Sequence, residues 1–227
     1  MILQQISSTP FEIQAQWSLF KTGSSIDAVP LYVYLHGYGE NIKTFRDKTQ
    51  NLHELEGYHL FIQGPYPLPR PGMTNRGYAW YIYDGPDSDF ASELAKSTNL
   101  VESVVRDVKG EHEIAEVVVI GFSMGAYLGG YWAMLGEEPP DYLAACGGRI
   151  KTELLNDRPP TQKKPLGIAA IHGREDGSVK GDQQEACIQD LRKHGYNAEM
   201  TWVEGGHNFS PAMSKAVKTW VGNRRER

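Results

Sequence analysis

The 227-residue sequence predicts an α/β fold, a mostly parallel sheet with helices on both of its faces. Three observations carry that expectation. Runs rich in β-branched and aromatic residues alternate along the chain with segments whose apolar residues recur at helical spacing. The strongest runs, at 31–35, 117–120 and 166–171, are almost wholly apolar, as strands are when crossover helices bury both faces. Each of these runs ends at a glycine-containing turn, the punctuation expected where strand gives way to helix.

Taken in order, residues 11–20 alternate well enough to form an early strand, and Leu31-Tyr32-Val33-Tyr34-Leu35 forms a second that stops at His36-Gly37. Residues 44–56 are expected to be helical and 58–62 a strand. From Gly64 to Gly72 the chain must loop, because four prolines remove backbone donors and fix φ. Leu94, Leu100, Val101, Val104 and Val105 place one apolar face on a helix over 88–108, with Asp87 or Ser88 as its cap. Strand 116–120 then leads into helix 124–135. A short strand at 141–145, a stronger one at 166–171, a helix at 178–194, a strand at 199–203 and a helix at 210–222 complete the chain. The stretch between Gly147 and Lys164 is polar and short, so little or no cap domain fits there. No internal repeat interrupts this pattern, and residues 1–227 are expected to form one domain.

Composition narrows the function. The chain is 40% hydrophobic and 22% charged, within the globular range. A formal net charge of −5, with only short basic runs such as Lys163-Lys164, argues against nucleic acid as a partner. Cys146 and Cys187 lack metal-ligand spacing and are expected to be inert buried thiols; neither a metal nor another cofactor is anticipated. The N-terminus has no basic start followed by an apolar stretch, and no run approaches membrane-spanning length. A cytoplasmic protein without stable membrane insertion is therefore expected.

The chemistry lies in the loops at the carboxyl ends of the strands, where ligands collect in a doubly wound sheet. Strand 117–120 runs into Gly121-Phe122-Ser123-Met124-Gly125, whose glycines let strand turn sharply into helix and lift Ser123 clear of the backbone. The pentapeptide alone is short enough to arise by chance. Two later strand ends add Asp176, in His172-Gly173-Arg174-Glu175-Asp176, and His207, in Glu204-Gly205-Gly206-His207. A serine hydroxyl needs a base to take its proton, and an imidazole needs an acceptor to fix its tautomer and stabilise its charge. For the acid, Glu175, Asp182 and Glu204 compete with Asp176. A developing oxyanion also needs two backbone N–H donors. Met124, after the nucleophile, and Tyr38, in the glycine-rich loop after strand 31–35, are the candidates.

Together, Leu35-His36-Gly37, Gly121-Phe122-Ser123-Met124-Gly125, His172-Gly173-Arg174-Glu175-Asp176 and Gly205-Gly206-His207 resemble the α/β-hydrolase superfamily. Within it the sequence is similar to the phospholipase/carboxylesterase family, which includes acyl-protein thioesterases, over nearly the whole length. Gly77-Tyr78-Ala79-Trp80-Tyr81 resembles that family's aromatic segment. Met124 stands where many members have Gln, and Tyr38-Gly39-Glu40 departs from the usual Leu-Gly-Asp. The resemblance implies an α/β-hydrolase fold, favours Asp176 as the acid by its spacing, and implies cleavage of a small-molecule ester or thioester through an acyl-serine. A non-catalytic receptor on the same fold, or a C–C or amide hydrolase with the same triad, are the alternatives.

The remaining residues receive plainer readings. His36 and His172 precede glycines at strand ends and are expected to hydrogen-bond neighbouring loops. His53, His59, His112 and His194 fall in polar or helical segments and are expected to be solvated. Trp80, Phe122 and Phe209 are candidate substrate contacts, with packing as the competing role. The proline-rich stretch 64–77 is a candidate wall of the site.

Overall fold

The computed structural model describes residues 14–69, 76–83, 87–155 and 165–224, with the side chains of 87–89 excepted. In chain order its elements are β1 (Trp17–Thr22), β2 (Val29–Leu35), α1 (Ile42–Lys48), β3 (Gly57–Ile62), β4 (Tyr66–Leu68), β5 (Gly77–Ala79) and α2 (Asp87–Glu111). There follow β6 (Ile114–Phe122), α3 (Met124–Leu135), β7 (Tyr142–Cys146), β8 (Gly167–Gly173), α4 (Gly181–Lys193), β9 (Ala198–Val203) and α5 (Pro211–Asn223). Seven strands form one sheet in the order β1-β3-β2-β6-β7-β8-β9. Only β1 is antiparallel to its neighbour; every other pairing is parallel.

The strand period of two sorts the core into two layers. Leu31, Val33, Val117, Val119, Leu143, Ala145, Ile168 and Ala170 meet the apolar stripes of α2, α3 and α4. Their neighbours Tyr32, Tyr34, Val118, Ile120, Ala144, Cys146, Ala169 and Ile171 meet Phe45 of α1 and Met213, Val217, Trp220 and Val221 of α5. With both faces covered, all seven residues of β2, β7's five and β8's seven are buried. This is the arrangement expected from the sequence, an α/β sheet with helices on both faces.

Several boundaries differ, each for a physical reason. The first strand begins at Trp17, because its partner β3 ends at Ile62 and only the Gln63 N–H to Gln16 carbonyl bond lies beyond. The expected helix 44–56 instead starts at Ile42, under an Asn41–Thr44 capping box. It closes at Thr49, whose hydroxyl turns back onto the Phe45 carbonyl, and a 3₁₀ turn over Gln50–Leu52 follows. The loop expected at 64–72 contains β4, which pairs with β5 in a two-stranded ribbon; residues 70–75 lie outside the described residues. So do 156–164, in the middle of the β7–β8 connection, which otherwise carries a 3₁₀ turn at Thr152–Leu155.

His59 corrects the expectation of a solvated ring. It is completely buried in β3, stacked on Phe20, with Nδ1 accepting from the Tyr34 hydroxyl at 2.9 Å and Nε2 donating to the Leu55 carbonyl at 3.0 Å. Burial holds its pKa down at about 4. Both cysteines are free and buried, and burial pushes the Cys146 thiol up. Among the described residues no helix is long and apolar enough to cross a membrane.

Candidate active site

The site begins where β6 turns into α3. Ser123 has φ 50° and ψ −116°, and it is the non-glycine residue with positive φ among those described. Such a backbone costs an L-residue about 1–3 kcal/mol and survives only where its surroundings over-determine it. Two hydrogen bonds and two close backbone approaches do so. The Ser123 N–H donates to the Cys146 carbonyl of β7 at 2.8 Å, and the Ser123 carbonyl accepts from Ala126 at 2.9 Å. A Cβ on Gly121 would overlap the Gly125 carbonyl, and a Cβ on Gly148 would lie 2.7 Å from the Ser123 carbonyl oxygen. Glycine is required at these positions because backbone meets backbone there.

The Ser123 hydroxyl oxygen lies 2.9 Å from His207 Nε2, and His207 Nδ1 lies 2.7 Å from Asp176 Oδ2. Ser123 belongs to the turn after β6, Asp176 to the loop after β8 and His207 to the loop after β9; parallel strands bring these turns to one edge. The Asp176 side chain is 1% exposed and that of His207 is 24% exposed, so the acid is sealed while the ring reaches solvent. Asp176 Oδ1 accepts from the N–H groups of Ser178 and Val179, each at 2.9 Å. Burial alone would raise this carboxyl; the Val179 N–H, the His207 ring and the Ser178 N–H outweigh it and hold the pKa below the ordinary value. His172 Nε2 lies 2.9 Å from the Val179 carbonyl and 3.4 Å from Asp176 Oδ2. It ties the acid-bearing loop to the end of β8.

The turn after β2 is built as tightly. The Glu40 N–H donates to the Gly37 carbonyl at 3.2 Å, and Gly39 has φ +76°, as a type II turn requires. Tyr38 occupies the tip and is 65% exposed. Gly39 and Glu40 exchange backbone bonds with Tyr78 of β5, each 2.9 Å long. Among the described residues, neither the Tyr38 nor the Met124 backbone N–H is donated to a protein acceptor. His36 braces the base of this turn. Its Nδ1–H donates to the Gly37 carbonyl at 2.8 Å while Nε2 accepts from the Gly64 N–H at 3.0 Å, and burial lowers its pKa. That pattern fixes a neutral ring with one tautomer.

The structure brings Ser123, Asp176 and His207 into one hydrogen-bonded line and sets Tyr38 and Met124 on the turns beside it. It does not expose the three candidate substrate contacts. Trp80 is completely buried, donating its indole N–H to the His36 carbonyl at 2.8 Å. Phe122 lies beneath the His207 ring, 5.3 Å between centroids, wedged against Gly37 and Gly147. Phe209 packs on Phe45, 5.5 Å away. Only 5% of Phe122 and of Phe209 is exposed, so they support the site from below. The large side chain that does face outward on these turns is that of Tyr38; Ile82 and Tyr83, after β5, are also exposed, with Tyr83 packed against Phe90 of α2. Glu40 and Lys48, paired at 2.5 Å beside Gly37, also escape sequence reasoning, since no motif links a loop carboxylate to a helix lysine. Among the described residues no group of three or more His, Cys, Asp or Glu side chains is arranged to hold a metal ion.

Residues 24–223 match the model of the Phospholipase/Carboxylesterase family. No curated protein matches the sequence significantly. Among solved structures, esterase PE8 superposes with a TM-score of 0.78 at 19% identity, over 93% of this chain and 99% of that one. The carboxylesterase of Bacillus cereus gives 0.70 at 16% identity, over 92% and 94%. Acyl-protein thioesterase 2 of Zea mays gives 0.65 at 19%, over 92% and 98%. At these identities the likeness is one of fold. The extent of the family match goes further: this chain belongs to the phospholipase/carboxylesterase family and is a hydrolase of the carboxylesterase/thioesterase type with an α/β-hydrolase fold.

Proposed function

We propose that the protein cleaves small-molecule carboxylic esters or thioesters through an acyl intermediate on Ser123. The observation that carries this reading is the unbroken line Ser123 Oγ, His207 Nε2, His207 Nδ1, Asp176 Oδ2, with Ser123 held in a strained backbone. His207 takes the hydroxyl proton as Ser123 Oγ bonds to the acyl carbon, and the carbonyl electron pair moves onto oxygen. The N–H groups of Tyr38 and Met124 bind that oxyanion. As the carbonyl re-forms, the bond to the leaving alcohol or thiol breaks, and His207 returns the proton to it. Water then repeats the sequence on the acyl-enzyme, releasing acid and free serine. Asp176 holds the ring with its Nδ1–H turned inward and stabilises the imidazolium that forms at each proton transfer.

Exposed Tyr38, on the turn fitted against that of Ser123, favours an apolar acyl or aryl group at the mouth of the site. Labelling by a fluorophosphonate probe, with turnover of p-nitrophenyl esters and acyl thioesters of graded length, tests the reading. Ser123→Ala is expected to abolish both. Undiminished turnover in that variant would sink the mechanism; ligand binding without labelling or turnover in the wild type would point to a receptor.

A further inference from the structure

Glu40 places a carboxylate next to the place where this enzyme, on the mechanism above, must stabilise a negative charge. Its Oε2 accepts the Gly37 N–H at 2.7 Å, one peptide away from the Tyr38 N–H assigned to the oxyanion. The side chain is only 12% exposed, so solvent screens it poorly. An anion so placed opposes the developing oxyanion unless it is neutralised. The group that neutralises it is Lys48, at the last turn of α1, whose ammonium lies 2.5 Å from Glu40 Oε1 and 6.0 Å from the centroid of the Phe122 ring. Lys43, on the same helix, is engaged elsewhere, with Asp47 at 2.7 Å.

We infer that Glu40 and Lys48 are a charge-compensated positioning pair for the oxyanion loop. Glu40 shapes the loop by taking up the Gly37 N–H, and Lys48 cancels the electrostatic penalty of having a carboxylate do so. The Gly37 N–H is thereby satisfied within the protein, and the N–H of the next residue is left for substrate. The division of labour follows from geometry. A neutral acceptor would hold Gly37 without any need for Lys48, whereas an anionic one requires it.

This inference rests on the proposed acyl-serine mechanism, and a double-mutant cycle with p-nitrophenyl butyrate tests it. Lys48→Met is expected to lower kcat about tenfold at low salt with KM changed less than about twofold, because the unpaired charge acts on the transition state and not on bound ester. Raising the salt to about 1 M is expected to restore little of the loss, because the Glu40 side chain is only 12% exposed and mobile ions screen so buried a charge weakly. Introduced into the Glu40→Gln background, the same lysine substitution is expected to change kcat less than about twofold. Glu40→Ala, which removes the acceptor altogether, is expected to lose more kcat than Glu40→Gln. An equal loss from Lys48→Met in both backgrounds indicates a purely structural lysine and overturns the proposal. So does a Lys48→Met enzyme with the wild-type kcat. Ser123→Ala, run in parallel, separates the two levels: turnover surviving in that variant overturns the mechanism and this inference together, while its loss leaves the cycle to decide the pair.

Discussion

The Cα of Gly125 lies against the carbonyl group of Leu35, so closely that a Cβ at 125 would overlap that oxygen and stand 2.8 Å from the carbonyl oxygen of His36. The turn bearing Ser123 and the turn bearing Tyr38 are thus fitted backbone to backbone. Gly125→Ala is expected to push them apart, destabilising the protein by about 1–3 kcal/mol and lowering kcat far more than KM. Urea unfolding beside steady-state kinetics reads both effects.

The strained backbone of Ser123 predicts a stability difference between two inactive variants. Ser123→Gly removes the steric cost of φ 50°, ψ −116°, whereas Ser123→Ala keeps it. Both variants are expected to be inactive, with the glycine variant more stable than the alanine by about 1 kcal/mol in urea.

Acid should weaken the fold in two stages. His36, His53 and His59 all have pKa values lowered chiefly by burial, His59 from 6.5 to about 4. Such rings stay neutral in the folded protein while the unfolded chain takes up protons, so their contribution is intact above about pH 6.5 and is lost as the pH falls towards the folded values. His59 alone accounts for roughly 3 kcal/mol at most. Unfolding midpoints measured from pH 7.5 down to pH 4 should fall steadily, and the His59 ring resonances should not titrate between pH 8 and pH 5.

A second stage belongs to Asp176, whose folded pKa lies below its ordinary value of 3.8. Its stabilisation is present above that value and disappears as pH drops through the folded pKa. Asp176→Asn is expected to cost about 10⁴-fold in kcat at neutral pH, through the wrong His207 tautomer. The stability gap between wild type and variant should shrink as the pH is taken below the ordinary value of 3.8 and through the lowered folded one.

Trp80→Phe should separate packing from substrate contact. Losing the indole N–H leaves the buried His36 carbonyl without that donor, at a cost of about 1–3 kcal/mol. The chain-length profile against p-nitrophenyl esters should be unchanged, since Trp80 has no exposed surface.

The sheet and the line of Ser123, Asp176 and His207 are legible in the sequence because both arise from local rules applied at strand ends. The apolar runs of β2, β6 and β8 announce doubly covered strands, and the residues a few positions beyond them must reach one edge. Orientation is less accessible. Phe122 precedes Ser123 and Phe209 lies two residues after His207, but which way a side chain points beside a turn depends on what the neighbouring loops leave open. Here Gly37 and Gly147 make room beneath His207 and the Phe122 ring fills it, while Phe209 packs on Phe45. β4 and β5 are three residues each, too short for any periodic signal. The Glu40–Lys48 pair spans a turn and a helix and becomes visible only when α1 is folded back along the β2 loop.

The bond from the Ser123 N–H to the Cys146 carbonyl extends the ladder between β6 and β7 by one rung, at the centre of the seven-stranded sheet. The residue with the least comfortable backbone is therefore tied to the part of the molecule that opens last. Its amide proton should exchange with deuterium only when the whole sheet unfolds, at a rate set by global stability and insensitive to motions of the surrounding loops. A serine mounted this way, the nucleophile of the mechanism proposed above, keeps its place while the loops around it move.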